Sequence, residues 1–314
     1  MRHKELSYFY FYHIVHIGHI VAHSYVFYCE LCVLCGKQKL LLKRMSLYIS
    51  SLNTGSNGNC FYIGNDDEAI LIDAGISCRE TERRMKRLGL LMEKVKAIFV
   101  SHEHSDHISG IPVLARKYSL PVYISDHTYR ESRLSIQPSL VRKFQTSQFI
   151  PVGSLSIKTF RKSHDASDPH SFVITCNGVN VGVLTDIGWC CSEVVHHFRQ
   201  CNAVFLESNY CEEMLMNGPY PYHLKKRIQG DRGHLSNHQA LELFRNFRSD
   251  SLSHLILSHL SKNNNSPVLV EQLFAPYAGT TKIVVASRYN ETELMRVGGQ
   301  PATQPTYSSQ LSLF

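Results

Sequence analysis

From Met45 onward, the hydrophobic positions form short runs separated by Gly, Asn and Asp, and this pattern predicts strands that alternate with helices. The predicted strands are Leu47–Ser51, Asn59–Gly64, Glu68–Asp73, Lys96–Ser101, Pro121–Ser125, Leu155–Phe160, Ser171–Cys176, Val179–Thr185, Ala203–Glu207, His254–Ser258, Lys282–Ser287 and Glu291–Val297. The predicted helices are Ser77–Leu88, Ile108–Tyr118, a region after Ser125, Cys190–Gln200, Asn237–Phe247 and one that Pro267 opens. Strands pair early and the arrangement repeats in the second half, so we predict a single α/β domain of two packed sheets with helices outside.

The two ends of the chain differ from this pattern. Residues 1–44 are rich in His and Tyr, and three interpretations compete: a membrane helix within Ser7–Leu34, a metal site at Cys29-x-x-Cys32-x-x-Cys35, or an extension outside the fold. We favour the extension, with a natural start at Met45, because the segment is poorly hydrophobic and lacks a second ligand pair. Residues 298–309 are rich in Gly, Pro, Thr, Ser and Gln, which is typical of a flexible linker. The predicted domain therefore spans 45–297.

Composition narrows the class of protein. Hydrophobic residues make up 43% and charged residues 19% of the 314 positions, which is typical of a globular chain and excludes a disordered one. The net charge of +7 is only mildly basic, and ten cysteines are too few for a disulfide framework. The 18 histidines are many, and histidine is the commonest metal ligand.

One run carries the strongest chemical signal. Ser101-His102-Glu103-His104-Ser105-Asp106-His107 comes directly after a predicted buried strand. Its potential ligands have the spacing H-x-H-x-D-H, and a loop at the end of a strand can aim alternate residues at one point. His102 and His104 can therefore share one metal ion while Asp106 and His107 face a second.

This run resembles the signature of the metallo-β-lactamase-fold hydrolases. That family pattern also has an acidic residue that ends an early strand, a distant His, a distant Asp at a strand end and a late His. The matching residues, in order, are Asp73, His164, Asp186 and His259. The resemblance covers residues 45–297 and implies an αββα sandwich of two mixed β-sheets flanked by helices, with metals at one edge between the sheets.

By this resemblance, seven side chains hold two divalent metal ions, either zinc or manganese. One ion would be held by His102, His104 and His164, the other by Asp106, His107 and His259, with Asp186 as the bridge. Two such ions about 3.5–4 Å apart can activate a bridging water as hydroxide, so Asp106 and Asp186 count as catalytic residues. Asp73 would orient a ligand histidine from behind. His170 is an alternative to His164 as a ligand. We prefer His164, because His164 follows a predicted strand.

Further phrases narrow the resemblance to the bacterial YycJ/WalJ-like proteins. They are Gly55-Ser-Asn-Gly-Asn-Cys60, Ser208-Asn-Tyr210, Gly218-Pro-Tyr-Pro-Tyr222, Asp231-Arg-Gly-His-Leu-Ser-Asn237 and Leu257-Ser-His-Leu-Ser-Lys262. That subgroup implies a phosphodiesterase with 5′-to-3′ exonuclease activity on DNA, and a part in DNA repair. A thioester or lactone hydrolase with the same site and a non-catalytic, clamp-bound adaptor remain alternatives. No long domain is inserted between Asp186 and His259, which argues against the RNA-processing β-CASP branch.

A basic segment before His234 offers candidate contacts to substrate. Lys225, Lys226 and Arg227 lie in a predicted loop with two tyrosines nearby, and such groups can bind phosphates and stack on bases. Ordinary solvated charges are an equal alternative. His234 is a candidate contact to the scissile phosphate, or else a cap of the neighbouring helix.

The last five residues resemble the peptide by which bacterial DNA polymerases and repair proteins dock on the replication sliding clamp. In this peptide Leu313 and Phe314 would be the apolar anchors, Gln310 would set the register, and Leu311 would follow it as part of the same peptide. A frayed terminus is the alternative. A clamp-bound DNA enzyme without an export signal is expected in the cytoplasm, with reduced cysteines and no stable membrane association.

Overall fold

The computed structural model describes residues 46–298, which form fourteen strands and nine α-helices. The strands are β1 (Leu47–Asn53), β2 (Cys60–Gly64), β3 (Ala69–Ile72), β4 (Val95–Phe99), β5 (Val122–Ser125), β6 (Val141–Phe144), β7 (Phe149–Val152), β8 (Leu155–Arg161), β9 (His170–Cys176), β10 (Val179–Leu184), β11 (Ala203–Glu207), β12 (His254–Ser258), β13 (Lys282–Val285) and β14 (Met295–Val297). The helices are α1 (Cys78–Arg87), α2 (Ser105–Ile108), α3 (Ile111–Tyr118), α4 (Asp126–Ser132), α5 (Ser192–Phe198), α6 (Glu212–Asn217), α7 (Tyr222–Gln229), α8 (Asn237–Phe247) and α9 (Pro267–Phe274). Single 3₁₀ turns are Met92–Lys94, Pro138–Leu140 and Ala275–Tyr277.

Two seven-stranded sheets repeat one pairing scheme. The first has the order β14-β1-β2-β3-β4-β5-β6 and the second β13-β12-β11-β10-β9-β8-β7. The neighbours β14-β1-β2-β3 and β7-β8-β9-β10 pair antiparallel, whereas β3-β4-β5-β6 and β10-β11-β12-β13 pair parallel. The carboxyl ends of neighbouring parallel strands meet at one edge of a sheet, where open α/β folds place their ligands.

Three buried apolar clusters hold the layers together. The first lies between the sheets and includes Phe61, Phe99, Phe172 and Phe205, all fully buried. The second packs α1 and α3 on the outer face of the first sheet, and the third packs α5, α8 and α9 on the outer face of the second. The predicted αββα sandwich is therefore confirmed.

The ends of the described domain lie side by side. β1 pairs antiparallel with β14, so that Leu47 is opposite Val297. The Ser46 hydroxyl donates to the carbonyl oxygen of Gly298 across 3.2 Å. Residues 1–44, with their cysteines, and the terminal peptide of Gln310, Leu311, Leu313 and Phe314 lie outside the described residues.

Several predicted boundaries need correction. The predicted helix Ile108–Tyr118 is split into α2 and α3 around Gly110, whose amide donates to Ala74 O at 2.8 Å. An added Cβ at Gly110 would lie 1.9 Å from Ile76 O, so only glycine fits there. β6, β7, α6 and α7 were not predicted. No described helix has the length and apolarity needed to cross a membrane.

Candidate metal centre

Strand ends supply the polar side chains of the centre. Asp73 follows β3, Asp186 lies two residues beyond β10, and His259 follows β12. All three have positive φ, at 57°, 55° and 59°. The left-handed backbone conformation costs a residue with a Cβ roughly 1–2 kcal/mol, so contacts with neighbouring groups must stabilise it. The Lys162 ammonium, for example, donates to Thr185 O at 2.7 Å beside Asp186.

The H-x-H-x-D-H run turns from β4 into α2 and is fixed against the loop after β3. Ala74 N donates to His107 O at 2.9 Å, and Asn59 N donates to Asp106 O at 2.7 Å. An added Cβ at Gly75 would lie 1.6 Å from Asp106 O, so the two backbones touch directly. This contact fixes the position of the motif relative to Asp73.

A first group of ring nitrogens comes from His102, His104 and His164. His102 Nε2 lies 3.0 Å from His104 Nδ1, and the His164 ring centroid is 4.9 Å and 5.2 Å from those of His102 and His104. Ser101 Oγ lies 2.9 Å from Nδ1 of His102, and Gly233 O lies 3.0 Å from Nδ1 of His164. In His102 and His164, Nε2 is therefore the ring nitrogen on the side of the centre. His102, His104 and His164 each offer a ligand atom, and these atoms lie within 4.8 Å of one another.

A second group comes from Asp106, His107 and His259. The Nε2 atoms of His107 and His259 lie 3.5 Å and 3.7 Å from Asp106 Oδ2. Asp186 lies between the groups: its Oδ2 is 3.4 Å from His107 Nε2, and its Oδ1 is 3.5 Å from His259 Nε2 and 3.9 Å from His164 Nε2. The structure thus brings together all seven residues that the family resemblance implied.

His170, the alternative to His164, lies elsewhere. It begins β9, its Nε2 is 2.9 Å from Thr146 Oγ1, and its Nδ1 is 2.8 Å from Asp168 O. None of the groups of potential ligands among residues 46–298 includes it. The geometry therefore favours His164.

Two carboxylates orient histidines from behind. Asp73 Oδ2 accepts from His107 Nδ1 at 2.7 Å, as expected, and its two oxygens also accept from the amide and hydroxyl of Ser101. Glu207, at the end of β11, was not predicted. Its Oε1 accepts from Nδ1 of both His259 and His234 at 2.8 Å. Outer carboxylates of this kind fix the tautomer and direction of a ligand ring.

Burial disfavours charge throughout the centre, but the carboxylates reverse this effect for some histidines. Burial lowers the pKa of His164 to about 3 and that of His102 well below its usual range. Burial also acts to lower the pKa of His259, but neighbouring carboxylates, Asp186 foremost, outweigh it and raise the pKa to about 10. The carboxylates therefore favour positive charge between the two groups.

The donor set fits a divalent metal ion. His164 Nε2, Asp186 Oδ2 and His259 Nε2 are buried and have no hydrogen-bond partner among the described residues. Each such atom costs about 1–3 kcal/mol, and three that face one point indicate a shared partner. Imidazole nitrogens with carboxylate oxygens are ligands of zinc and manganese.

A cavity of about 260 Å³ opens onto the centre. His104, Asp106 and Asp186 lie on one side, and residues of α7, including Leu224 and Ile228, line it as well. The walls therefore combine predicted ligands with apolar side chains, as is common in sites for organic ligands.

The prediction that Lys225, Lys226 and Arg227 lie in a loop is wrong, because all three lie on the helix α7. Lys225 Nζ donates to Met216 O at 2.6 Å, and Lys226 Nζ lies 5.6 Å from the centroid of the Tyr222 ring. Arg227 alone of the three lines the cavity, where it pairs with Asp165. The group thus splits into two lysines engaged elsewhere and one arginine at the centre.

His234 lines the cavity too, with Nδ1 bound to Glu207. It does not cap α8, because the Ser236 hydroxyl accepts from Gln239 N and the Gln239 side chain accepts from Ser236 N. With Nδ1 bound to Glu207, Nε2 is the nitrogen left for a ligand in the cavity. The sequence pattern also makes Asn237 the cap of this helix, but the cap is Ser236 and Asn237 is the first helical residue.

Comparisons with known proteins show what the chain is similar to. The profile described as "Beta-lactamase superfamily domain" matches residues 68–260, more than half of the chain. Exodeoxyribonuclease YycJ of Bacillus anthracis is 37% identical over 229 residues, which cover 70% of this chain and 85% of that protein. Exodeoxyribonuclease WalJ of Streptococcus pneumoniae is 32% identical over 221 residues, covering 69% and 82%.

A solved structure supports the fold. The metallo-β-lactamase fold protein YhfI from Bacillus subtilis superimposes with a TM-score of 0.61 over 79% of this chain and 99% of that chain, at 16% identity. At this low identity the likeness speaks for the fold alone.

Proposed function

The chain belongs to the β-lactamase superfamily as a hydrolase, and on that premise we propose that it is a dinuclear metal-dependent phosphodiesterase that removes nucleotides from DNA in the 5′-to-3′ direction. The observation that carries the proposal is the convergence of three buried ligand atoms, His164 Nε2, Asp186 Oδ2 and His259 Nε2, that have no hydrogen-bond partner within residues 46–298. Exodeoxyribonuclease relatives that align over most of their length support DNA as the substrate. They give no support to the alternative of a non-catalytic adaptor.

The side chains divide the work. His102, His104 and His164 would hold one ion, Asp106, His107 and His259 the other, with Asp186 between them; zinc and manganese both suit this set. Two ions supply an activated water nucleophile and stabilise the charge that develops on phosphate oxygens. Asp73 keeps His107 Nε2 turned to the centre, and Glu207 does the same for His259.

Substrate contacts would come from other residues that line the cavity. His234 Nε2 is free to bind a phosphate oxygen, because Glu207 holds Nδ1. Arg227 offers a guanidinium beside Asp165 at the cavity wall. Lys225 and Lys226 lie on the same helix, but their ammonium groups are engaged at Met216 O and at the Tyr222 ring. We place this activity in the cytoplasm, in keeping with the free thiols of the seven cysteines that lie in the described region.

A direct test is hydrolysis of end-labelled DNA, with RNA and a thioester as competing substrates, in the presence of manganese or zinc. We expect mononucleotide release from the 5′ end of DNA and slower turnover of the others. Preferred cleavage of the thioester would contradict the proposal and favour a small-molecule hydrolase.

Removal of single ligands tests the centre. His104→Ala, His164→Ala or Asp186→Ala should abolish hydrolysis and lower metal content while the fold persists, since the core lies between the sheets. His170→Ala is the matched control, because it removes a buried histidine outside the cluster: metal content should stay at the level of the original chain. Full activity with full metal content in any ligand variant would refute the assignment.

We also propose that Gln310, Leu311, Leu313 and Phe314 dock on a bacterial sliding clamp, which would raise the enzyme's effective concentration at DNA. Calorimetric titration of the clamp should show binding by the full-length chain and none by Leu313→Ala/Phe314→Ala. Equal heats for both proteins would exclude the peptide as the docking element.

A further inference from the structure

A second, polar groove of about 260 Å³ adjoins the metal centre. The segments 163–169 and 231–234 contribute to both: Asp165 and His234 line the cavity, while His164 and Arg232 line the groove. Ser163 joins these segments, because its hydroxyl donates to Asp231 O at 2.6 Å. The cavity and the groove are therefore built on the same two segments and lie next to each other.

The groove carries positive charge that the protein only partly neutralises. Arg161 lies at its wall, exposed, and pairs with Asp168 at 3.0 Å. Arg232 is also exposed, and within the described part of the chain no carboxylate lies within 4.0 Å of it. Its guanidinium makes two long hydrogen bonds within residues 46–298, to His164 O at 3.3 Å and Ala166 O at 3.5 Å. It is thus held in place and free to bind an anion.

An exposed aromatic directly follows a glycine that packs on the backbone of Arg232. Gly188 packs so tightly there that an added Cβ would lie 2.1 Å from Asp231 O and 2.7 Å from Arg232 Cα. The next residue, Trp189, is the single tryptophan of the chain, and its exposed fraction is 49%. Tryptophan is highly buried on average, so an exposed one that follows the glycine packed on Arg232 is notable.

We propose that Trp189 and the groove of Arg161 and Arg232 bind the single strand that continues from the scissile phosphate. The arginines take backbone phosphates and Trp189 stacks on a base, which is how proteins bind single strands without reading their sequence. The proposal rests on the phosphodiesterase function, since it needs a polymer that extends out of the cavity.

The single tryptophan makes the test selective. In buffer with EDTA, so that no cleavage occurs, a 5′-phosphorylated thymidylate decamer should quench the intrinsic fluorescence, whereas the dinucleotide, which reaches only the cavity, should not. Arg232→Ala should weaken decamer binding and flatten the slope of log affinity against log salt by about 0.7 for the lost phosphate contact. Trp189→Ala, followed by anisotropy of a labelled decamer, should weaken binding roughly 5- to 150-fold.

Two matched controls do not line the groove. Arg142→Ala removes an exposed arginine that also binds only carbonyl oxygens, and Phe149→Ala removes an exposed aromatic on β7. Both should bind the decamer like the original chain. Unchanged fluorescence at saturating decamer, or decamer affinities of Trp189→Ala and Arg232→Ala equal to those of the controls, would overturn the proposal.

A small chromogenic substrate separates this proposal from the function on which it rests. Hydrolysis of thymidine 5′-(p-nitrophenyl phosphate) needs the metal centre and not the groove, so both variants should retain it. If the original chain cleaves this diester and DNA, and the variants cleave DNA equally well, the groove assignment alone fails. If the original chain cleaves neither, the phosphodiesterase function fails with it.

Discussion

The Glu207 carboxylate accepts four hydrogen bonds beside the centre. One of its oxygens accepts from a predicted ligand, His259, and from a predicted substrate contact, His234, while the other accepts from Ile187 N at 2.7 Å and Leu235 N at 3.1 Å. Burial acts to raise the pKa of this carboxyl, but the two histidines outweigh it and lower the pKa to about 2. Glu207 therefore stays ionised and orients both rings at once.

Glu207→Gln should lower metal affinity about 10- to 100-fold and reduce turnover, because an amide oxygen orients a ligand histidine more weakly than a carboxylate. Competition with a chromogenic chelator measures the affinity. Glu103→Gln is the matched control: Glu103 lies within the ligand motif, but its oxygens accept from the amide and hydroxyl of Ser167, at 2.7 Å and 2.9 Å. Equal losses in both variants would show that Glu207 acts only through stability.

Single ligand residues could be predicted from the sequence where they cluster in one run, as in H-x-H-x-D-H. Asp73, Asp186 and His259 came from family resemblance, and Glu207 was missed because a lone Glu has no characteristic spacing. A usable signal existed nonetheless. Glu207 ends the apolar strand β11, which lies between β10 and β12, so its place at the same sheet edge as Asp186 and His259 followed from strand order.

The decisive element for substrate contacts is α7. Leu224 and Ile228, one helical turn apart, both line the cavity, as does Arg227. Lys225 lies outside that lining and donates to Met216 O on α6. One face of α7 therefore lines the cavity and another contacts α6. The sequence Lys-Lys-Arg alone does not show which of its residues lies on which face.

Arg227→Ala should weaken binding of a labelled oligonucleotide and flatten its salt dependence, because a cavity-lining guanidinium that contacts phosphate releases counterions. Lys225→Ala should leave both quantities nearly unchanged, since its ammonium is engaged at α6. Binding isotherms at several salt concentrations measure the slopes. A larger effect from Lys225→Ala than from Arg227→Ala would reverse the roles given to these two residues.

The hydrophobic pattern predicted helices and strands where the apolar runs were clear. It missed elements where polar residues or prolines interrupted those runs. α7 was missed because Gly218-Pro-Tyr-Pro-Tyr222 is typical of irregular chain, although Pro221 is tolerated at the helix start that it occupies. β6, with the sequence Val-Arg-Lys-Phe, is an edge strand, and its charged residues obscure the alternation.

At the scale of the whole molecule, the centre links the two sheets. The H-x-H-x-D-H run follows β4 of the first sheet, whereas His164, Asp186 and His259 follow strands of the second. A ligand that binds the folded form alone adds stability in proportion to the logarithm of its concentration over Kd. The αββα arrangement was predictable because the strand pattern repeats in both halves; how the halves face each other depended on the family resemblance.

Deletion of residues 1–44 should leave activity and melting temperature unchanged, because the buried clusters that hold the sandwich together form within residues 46–298. Calorimetry and the DNA assay on the truncated and full-length chains measure the difference. Loss of folding on truncation would show that the segment is part of the domain.

The pairing of β1 with β14 has a consequence for engineering. Because Ser46 and Gly298 are within hydrogen-bond distance, a few added residues could join them and close the domain into a ring. The ring could then be opened at the Asn177–Gly178 hairpin turn, where an added Cβ on Gly178 would meet nothing within 4 Å. Such a circular permutant moves both chain ends to the tip of a hairpin, so that a reporter can be fused there without touching β1 or β14.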